Sequence, residues 1–199
     1  MNWINHFGPT SLIIIGAILS LIGAIWSQEQ SNKQTDNILK LNKQITDAVI
    51  GGDSYPLAMP VWEAKYGEEG EIKKICLLHE GKDPIYDLVV IITDLIAFKN
   101  EQAKDISIQN QDAYMWKKQI GTFGRGYEEI LLEIPSTYTS HIDYIFNFIA
   151  RNGQITQRSI YFKRGKKWIT ATRLEKNGKI FREIIRDKDF PMSLFKQPI

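Results

Sequence analysis

Ser54, in the run Gly52-Asp53-Ser54, is the side chain whose setting most invites a reactive reading. A serine hydroxyl attacks a carbonyl only when a base takes its proton and a third group orients that base. The histidines are His6, His79 and His141. An Asp-x-x-His pairing would supply base and carboxylate together, but Cys76 and Tyr138 stand where those aspartates would be. Without a base, Ser54 is an ordinary hydroxyl, and no catalytic residue is expected. A membrane-tethered hydrolase using Ser54 is the enzymatic alternative. The lone Cys76 excludes an intramolecular disulfide and a Cys-based zinc site. Asp53, Asp83, Asp87 and Asp94 lack the spacing of a calcium loop. Gly121–Gly126 is glycine-rich but has no GK[ST] and precedes a strand, so it reads as a flexible loop rather than a phosphate cradle. Glu128 and Glu129 are adjacent on an expected strand and point to opposite faces, so they cannot act as a catalytic pair. No cofactor is expected.

Charge narrows the partners. Lys plus Arg number 25 and Asp plus Glu 23, a net of +2, which gives no whole-chain case for nucleic acid. Hydrophobic residues at 43% and charged residues at 24% exclude a disordered chain. The charge is uneven, however. Residues 57–162 carry 11 basic and 15 acidic side chains, whereas 163–188 carry 10 basic and 3 acidic, a net of +7. Lys163, Arg164, Lys166, Lys167 and Arg182 are the candidate contacts for anionic lipid or for a phosphate-bearing ligand. Near an anionic bilayer each would contribute about 1 kcal/mol. A solvated edge guarded by lysines against unwanted sheet pairing has the same composition.

Phe7 to Trp26 is a stretch of twenty uncharged residues. As a helix it would be about 30 Å long, the hydrocarbon thickness of a bilayer. Pro9 suits a first helical turn, and Trp3 and Trp26 bracket the span as interfacial aromatics do. Helices buried in soluble cores are rarely apolar all round over this length. A cleaved signal peptide would need a basic start and a small-x-small exit; residues 1–6 have no Lys or Arg, and Ala24-Ile25-Trp26-Ser27 lacks the small pair. The reading is a retained anchor over residues 1–27. Lys33, Lys40 and Lys43 follow it and no basic residue precedes it, so the C-terminal part is expected in the cytoplasm.

Residues 28–50 contain neither Pro nor Gly and continue the helix as a stalk. Gly16, Ser20 and Gly23 form a small-xxx-small stripe in the anchor. Ile38, Leu41 and Ile45 follow a heptad seam in the stalk. Together these six residues are the candidate surface for a homo-oligomer. Packing of the stalk stripe on the chain's own C-terminal domain is the other reading. The helix should stop at Gly51-Gly52, and 51–56 (GGDSYP) reads as a turn.

An anchor, a short stalk, a GGDSYP turn and a β-rich domain resemble a widespread set of uncharacterised bacterial membrane-anchored proteins in which a GGDS-aromatic turn joins stalk to domain. Phe148–Gly153, Trp168–Arg173 and Asp189-Phe190-Pro191 fit the same pattern. Ile50 and Leu57 depart from it, standing where Thr and an aromatic are expected. The resemblance implies an architecture, a bacterial inner membrane and no chemistry. The GDS tripeptide is also similar to the start of the nucleophile block of GDSL-type esterases, but there it follows a buried strand, and here a helix.

From residue 57 onward the hydrophobic period is two. Strands are expected at Val61–Tyr66, Ile72–His79, Tyr86–Thr93, Tyr127–Ile134, Ile142–Ala150, Gln154–Lys163, Lys167–Leu174 and Lys179–Arg186. Residues 94–118 fit a strand plus loop or a short helix. Asn152-Gly153 is expected as the central pair of a hairpin turn, both with positive φ. Ile160 and Phe162 are expected inward, and Trp116 and Trp168 in the core or at an interface. The class is mainly β: an immunoglobulin-like or related antiparallel β-sandwich over 57–199, with a small barrel as alternative. The expected function is a membrane-anchored, non-enzymatic interaction or ligand-sensing module. Its partners would be the lipid bilayer, a second copy or another protein. An effector gated by an anionic ligand on the β domain is the alternative.

Overall fold

A computed structural model describes residues 8–63, 70–104, 108–135 and 140–196. Trp3, His6, Phe7, Tyr138 and the expected end of the first strand at Tyr66 lie outside the described residues. Helix α1 (Pro9–Ile50) runs for 42 residues. It ends where Gly51 and Gly52 take φ of +97° and +50°, a left-handed exit open to glycine. The Gly51 N–H donates to Asp47 O at 2.9 Å and satisfies a carbonyl of the last turn. Contacts divide the chain into compact units at Thr46/Asp47, so the last turn of α1 belongs with the β-rich part.

That part is two antiparallel sheets. The strands are β1 (Tyr55–Glu63), β2 (Glu71–Glu80), β3 (Ile85–Asp94), β4 (Met115–Phe123), β5 (Glu129–Glu133), β6 (His141–Ala150), β7 (Gly153–Arg164), β8 (Lys167–Lys176) and β9 (Lys179–Ile185). One sheet has the order β1-β2-β5, the other β4-β3-β6-β7-β8-β9. The chain is therefore mainly β with an N-terminal apolar helix. The first strand starts at Tyr55, earlier than its hydrophobic pattern predicts, because Tyr55 and Pro56 already pair with Glu80 and His79. Gly121–Gly126 is not one loop: β4 continues through Phe123, which pairs with Ile85. The ambiguous stretch after β3 opens with helix α2 (Leu95–Gln102) and closes with the start of β4; Asp94 starts the helix, its Oδ1 accepting from the Ile96 and Ala97 N–H groups at 2.9 Å each.

The alternation of β6 buries Ile142, Tyr144, Phe146 and Phe148 between the sheets, with Leu57, Ile75 and Leu77 from β1 and β2 in the same core. Gln157, on β7, is wholly buried. Its Oε1 accepts from the Ala58 N–H at 2.9 Å, and its Nε2 donates to Ala58 O at 2.6 Å and to Ser159 Oγ at 2.8 Å. β1 is an edge strand of its sheet, so one amide side chain from the facing sheet supplies the backbone partner that a neighbouring strand would have provided.

Ile160 and Phe162 turn away from this core. Tyr161 is the inward residue, while Ile160, with Ile169 and Ala171, packs under Phe190 and Phe195 on the outer face of the six-stranded sheet. The C-terminal segment, including a 3-10 turn at Met192–Lys196, supplies those two rings. Two apolar faces on one sheet cannot be told apart by a period-two pattern. Arg158 and Asp143 form a nearly buried ion pair at 2.9 Å, and the Arg173 guanidinium stands 4.4 Å from the centre of the Phe195 ring. Trp168 is buried, but Trp116 is 42% exposed because β4 is an edge strand.

His141 opens β6 half-buried, and its Nε2 is buried with no hydrogen-bond partner among the described residues. Burial holds its pKa below the ordinary 6.5, with Lys99 and Arg158 adding to the shift and Asp143 and Asp94 opposing it. The unfolded chain therefore binds this proton more readily than the folded one. The stabilisation is complete above about pH 6.5 and is lost as pH falls from there through the folded pKa. Urea midpoints taken between pH 7.5 and 5 are expected to fall less steeply in His141→Gln than in the parent. Equal slopes would remove His141 from the acid response.

Candidate functional site

Four features could carry function, and each begins with a local choice of residues. The first is α1. Between Ser11 and Ile50 it contains a window of mean hydropathy 1.9, none of it buried, long and apolar enough to cross a membrane. Leu12, Ile13, Leu19, Leu21, Ile25 and Trp26 all face outward. Exposed apolar surface of this extent calls for a non-aqueous environment or a partner. Gly16, Ser20 and Gly23 lie exposed on this stretch, and Ile38, Leu41 and Ile45 are exposed further along the same helix.

The second is the joint at the helix exit. Ser54 is buried, and its Oγ accepts from the Asp83 N–H at 2.9 Å. The Asn152 amide donates to Ser54 O at 2.6 Å and to Gly52 O at 3.3 Å. Asn152 has no positive φ; the hairpin loop is Arg151-Asn152, and Gly153 at +116° already opens β7. Asparagine is there for its side chain, not for a left-handed backbone. Arg151 binds Asp87 Oδ2 through Nη2 at 2.7 Å and Nε at 3.1 Å, and Nη1 reaches Val49 O at 3.4 Å. A cation at the carbonyl end of a helix is favourable. His79, the histidine nearest in this network, places Nε2 against Asp83 O at 2.9 Å. Both Ser54 Oγ and His79 Nε2 thus bind the Asp83 backbone.

The third is the basic segment. Lys163, Arg164, Lys166 and Lys167 share the tip of the β7–β8 hairpin. Three are already matched: Lys163 with Glu71 at 3.6 Å, Arg164 with Asp189 at 3.6 Å and Lys167 with Asp187 at 2.8 Å. The Lys167 and Asp189 hydrogen bonds hold the Asp187 carboxyl below its usual range. Arg182 is not brought to them. It sits opposite Leu174, seven residues along β8 from Lys167 or roughly 23 Å away, and bonds the Tyr55 hydroxyl and Glu80 instead.

The fourth was hidden in the ambiguous stretch. β4 and β5 are the outer strands of the two sheets, and a cleft of about 640 Å³ opens between them. Ile92, Leu131 and Tyr144 form its buried floor, and Trp116, Leu132 and Pro135 its walls. Trp116 and Lys118 pair with the inward-facing Ile92 and Val90, so both side chains stand on the sandwich side of β4. Lys118 Nζ crosses the gap to the Ile130 carbonyl and to the Glu129 carboxylate, 2.6 Å away. The sequence holds a usable signal, the alternation of Trp116, Lys118 and Ile120, but nothing in it says that this strand ends a sheet. Cys76 is buried, and burial raises its thiol pKa, with Glu128 adding to the effect and Lys74 opposing it. Among the described residues no group of three or more His, Cys, Asp or Glu could hold a metal ion.

Comparison with known proteins finds no matching family model, no matching curated protein and no matching solved structure. Function has to be argued from the features above.

Proposed function

We propose that this chain is a single-pass membrane-anchored, non-enzymatic interaction or ligand-sensing module, with its β domain on the cytoplasmic side of a bacterial inner membrane. The observation that carries the reading is the wholly unburied apolar stretch of α1, which lipid would cover. The joint supports it further. Arg151 and Asn152 bind the helix exit through four backbone carbonyls, those of Val49, Gly51, Gly52 and Ser54, as a domain tethered by its first helix requires. The domain itself is of immunoglobulin-like kind. The order β1-β2-β5 corresponds to strands A-B-E, and β4-β3-β6-β7 to C′-C-F-G, with β8 and β9 extending the second sheet. In this correspondence strand D is missing beyond β5. The exposed small-residue stripe and heptad seam of α1 join two or more copies.

Expression in a bacterial host tests each part. The full chain should float with membranes after alkaline carbonate extraction, and a C-terminal phosphatase fusion should be inactive where a fluorescent-protein fusion is bright. Recovery in the soluble fraction would overturn the anchor, and an active phosphatase the orientation. A single cysteine at Leu41 in a Cys76→Ser background should crosslink to dimers. Leucine at Gly16 and Gly23 should cut that fraction severalfold. Monomer alone in the parent would end the oligomer.

A further inference from the structure

We propose that the cleft between β4 and β5 binds a small amphipathic carboxylate, its apolar body on the floor and its carboxylate on Lys118 at the mouth. This deepens the ligand-sensing half of the reading above and rests on it. The volume of about 640 Å³ lies within the usual range of small-molecule sites, which combine mostly apolar walls with a few placed polar groups. Trp116 offers an aromatic wall that is 42% exposed at the rim. The charged lining is Lys117, Lys118 and Glu133, with Glu129 held against Lys118 at the mouth. Lys117 has no carboxylate partner among the described residues, whereas Glu133 lies 3.9 Å from Lys74.

The head group is chosen by Lys118. Its ammonium bonds Ile130 O and Glu129 while 35% exposed, with Glu129 more exposed still. Exposed pairs of this kind contribute little to stability, so a ligand carboxylate replaces Glu129 at little cost. The Ile130 carbonyl keeps the ammonium over the gap meanwhile. A ligand ammonium would meet the Lys118 ammonium, and a neutral head would leave Lys118 with Glu129. The same lysine argues against an added peptide strand, because a charge laid across a free edge blocks backbone pairing. A tail would lie over Ile92, Leu131 and Tyr144, on the side where a further strand would lie against β5.

The test uses the full chain in lipid nanodiscs with labelled Ile and Leu methyl groups, titrated with octanoate, octylammonium and octanol against empty nanodiscs. Octanoate is expected to shift the Ile92, Leu131 and Leu132 methyls saturably, at least fivefold more tightly than either analogue. Lys118→Gln should raise the octanoate Kd at least fivefold with the other methyl signals in place. Ala113→Phe, which fills the cleft from its rim, should abolish the shifts. No saturable shift, octanol binding as well as octanoate, or unchanged affinity in Lys118→Gln would each overturn the proposal. None of these outcomes depends on flotation, orientation or crosslinking, so the site and the anchored module can fail separately.

Discussion

Gly81→Ala is expected to destabilise the β-sandwich far more than the addition of one methyl group suggests. Gly81 begins the β2–β3 turn with φ of +119°, outside the left-handed region that an L residue can enter. A Cβ there would stand 2.3 Å from Ser54 Oγ, 2.7 Å from Ser54 Cα and 2.8 Å from Ser54 Cβ. The backbone itself is in the way, so a rotamer change cannot relieve the clash. Strain of about 1–3 kcal/mol and overpacking of about 1–3 kcal/mol act together, for a total of about 2–6 kcal/mol. The turn that must move also carries the Asp83 N–H bound by Ser54 Oγ, so the damage reaches the helix exit. Gly178→Ala is the control: φ is +72° and nothing lies within 4 Å of the added carbon, so about 1 kcal/mol is expected. Urea unfolding of the full chain in nanodiscs, followed by tryptophan fluorescence, checks the pair. A Gly81→Ala midpoint equal to that of Gly178→Ala would refute the close approach.

The second large effect is expected at Gln157→Leu. Leucine keeps the volume and removes the amide. The Ala58 N–H and C=O then face a dry core with no partner, because β1 has no strand on that side. An orphaned buried group costs about 1–3 kcal/mol, so the two together cost about 2–6 kcal/mol. Ser159 Oγ loses a donor as well but keeps Thr172 Oγ1 at 3.1 Å. The urea midpoint should fall with the slope unchanged, since the same surface is exposed on unfolding. Gln154→Leu, at an exposed position on the same strand, should stay within about 0.5 kcal/mol of the parent. If Gln157→Leu did the same, the amide would not be what ties the sheets.

Both positions bear on what could be read in advance. Gln157 sits in an expected strand as one polar residue among several, and a period-two pattern cannot distinguish a solvated glutamine from one that completes another strand's hydrogen bonding. Gly81 is of a residue type that turns favour, but nothing in the sequence carries the closeness of Ser54, 27 positions earlier. Arg182 shows the opposite failure. Charge density along the chain grouped it with the β7–β8 hairpin, but an antiparallel sheet separates residues that are near in sequence when they lie at opposite ends of a strand.

The candidate cleft was illegible for the same reason. Trp116 reads as core because large aromatics usually are core, and its partial exposure arises only because β4 is last in its sheet and β5 last in the other. Ile160 and Phe162 read as inward because alternation marks a buried face without saying which one. The Phe190 and Phe195 rings that bury the outer face come from a segment about thirty residues downstream.

By itself the sequence determined the elements whose causes are local. Apolar residues on every side make a helix with no wet face, Gly51-Gly52 ends it, and alternating apolar residues make strands. Tertiary structure alone decided which strands became edges, what satisfies those edges and where the two sheets part. Those outcomes depend on pairings between residues far apart in the chain, and local periodicity carries no information about them.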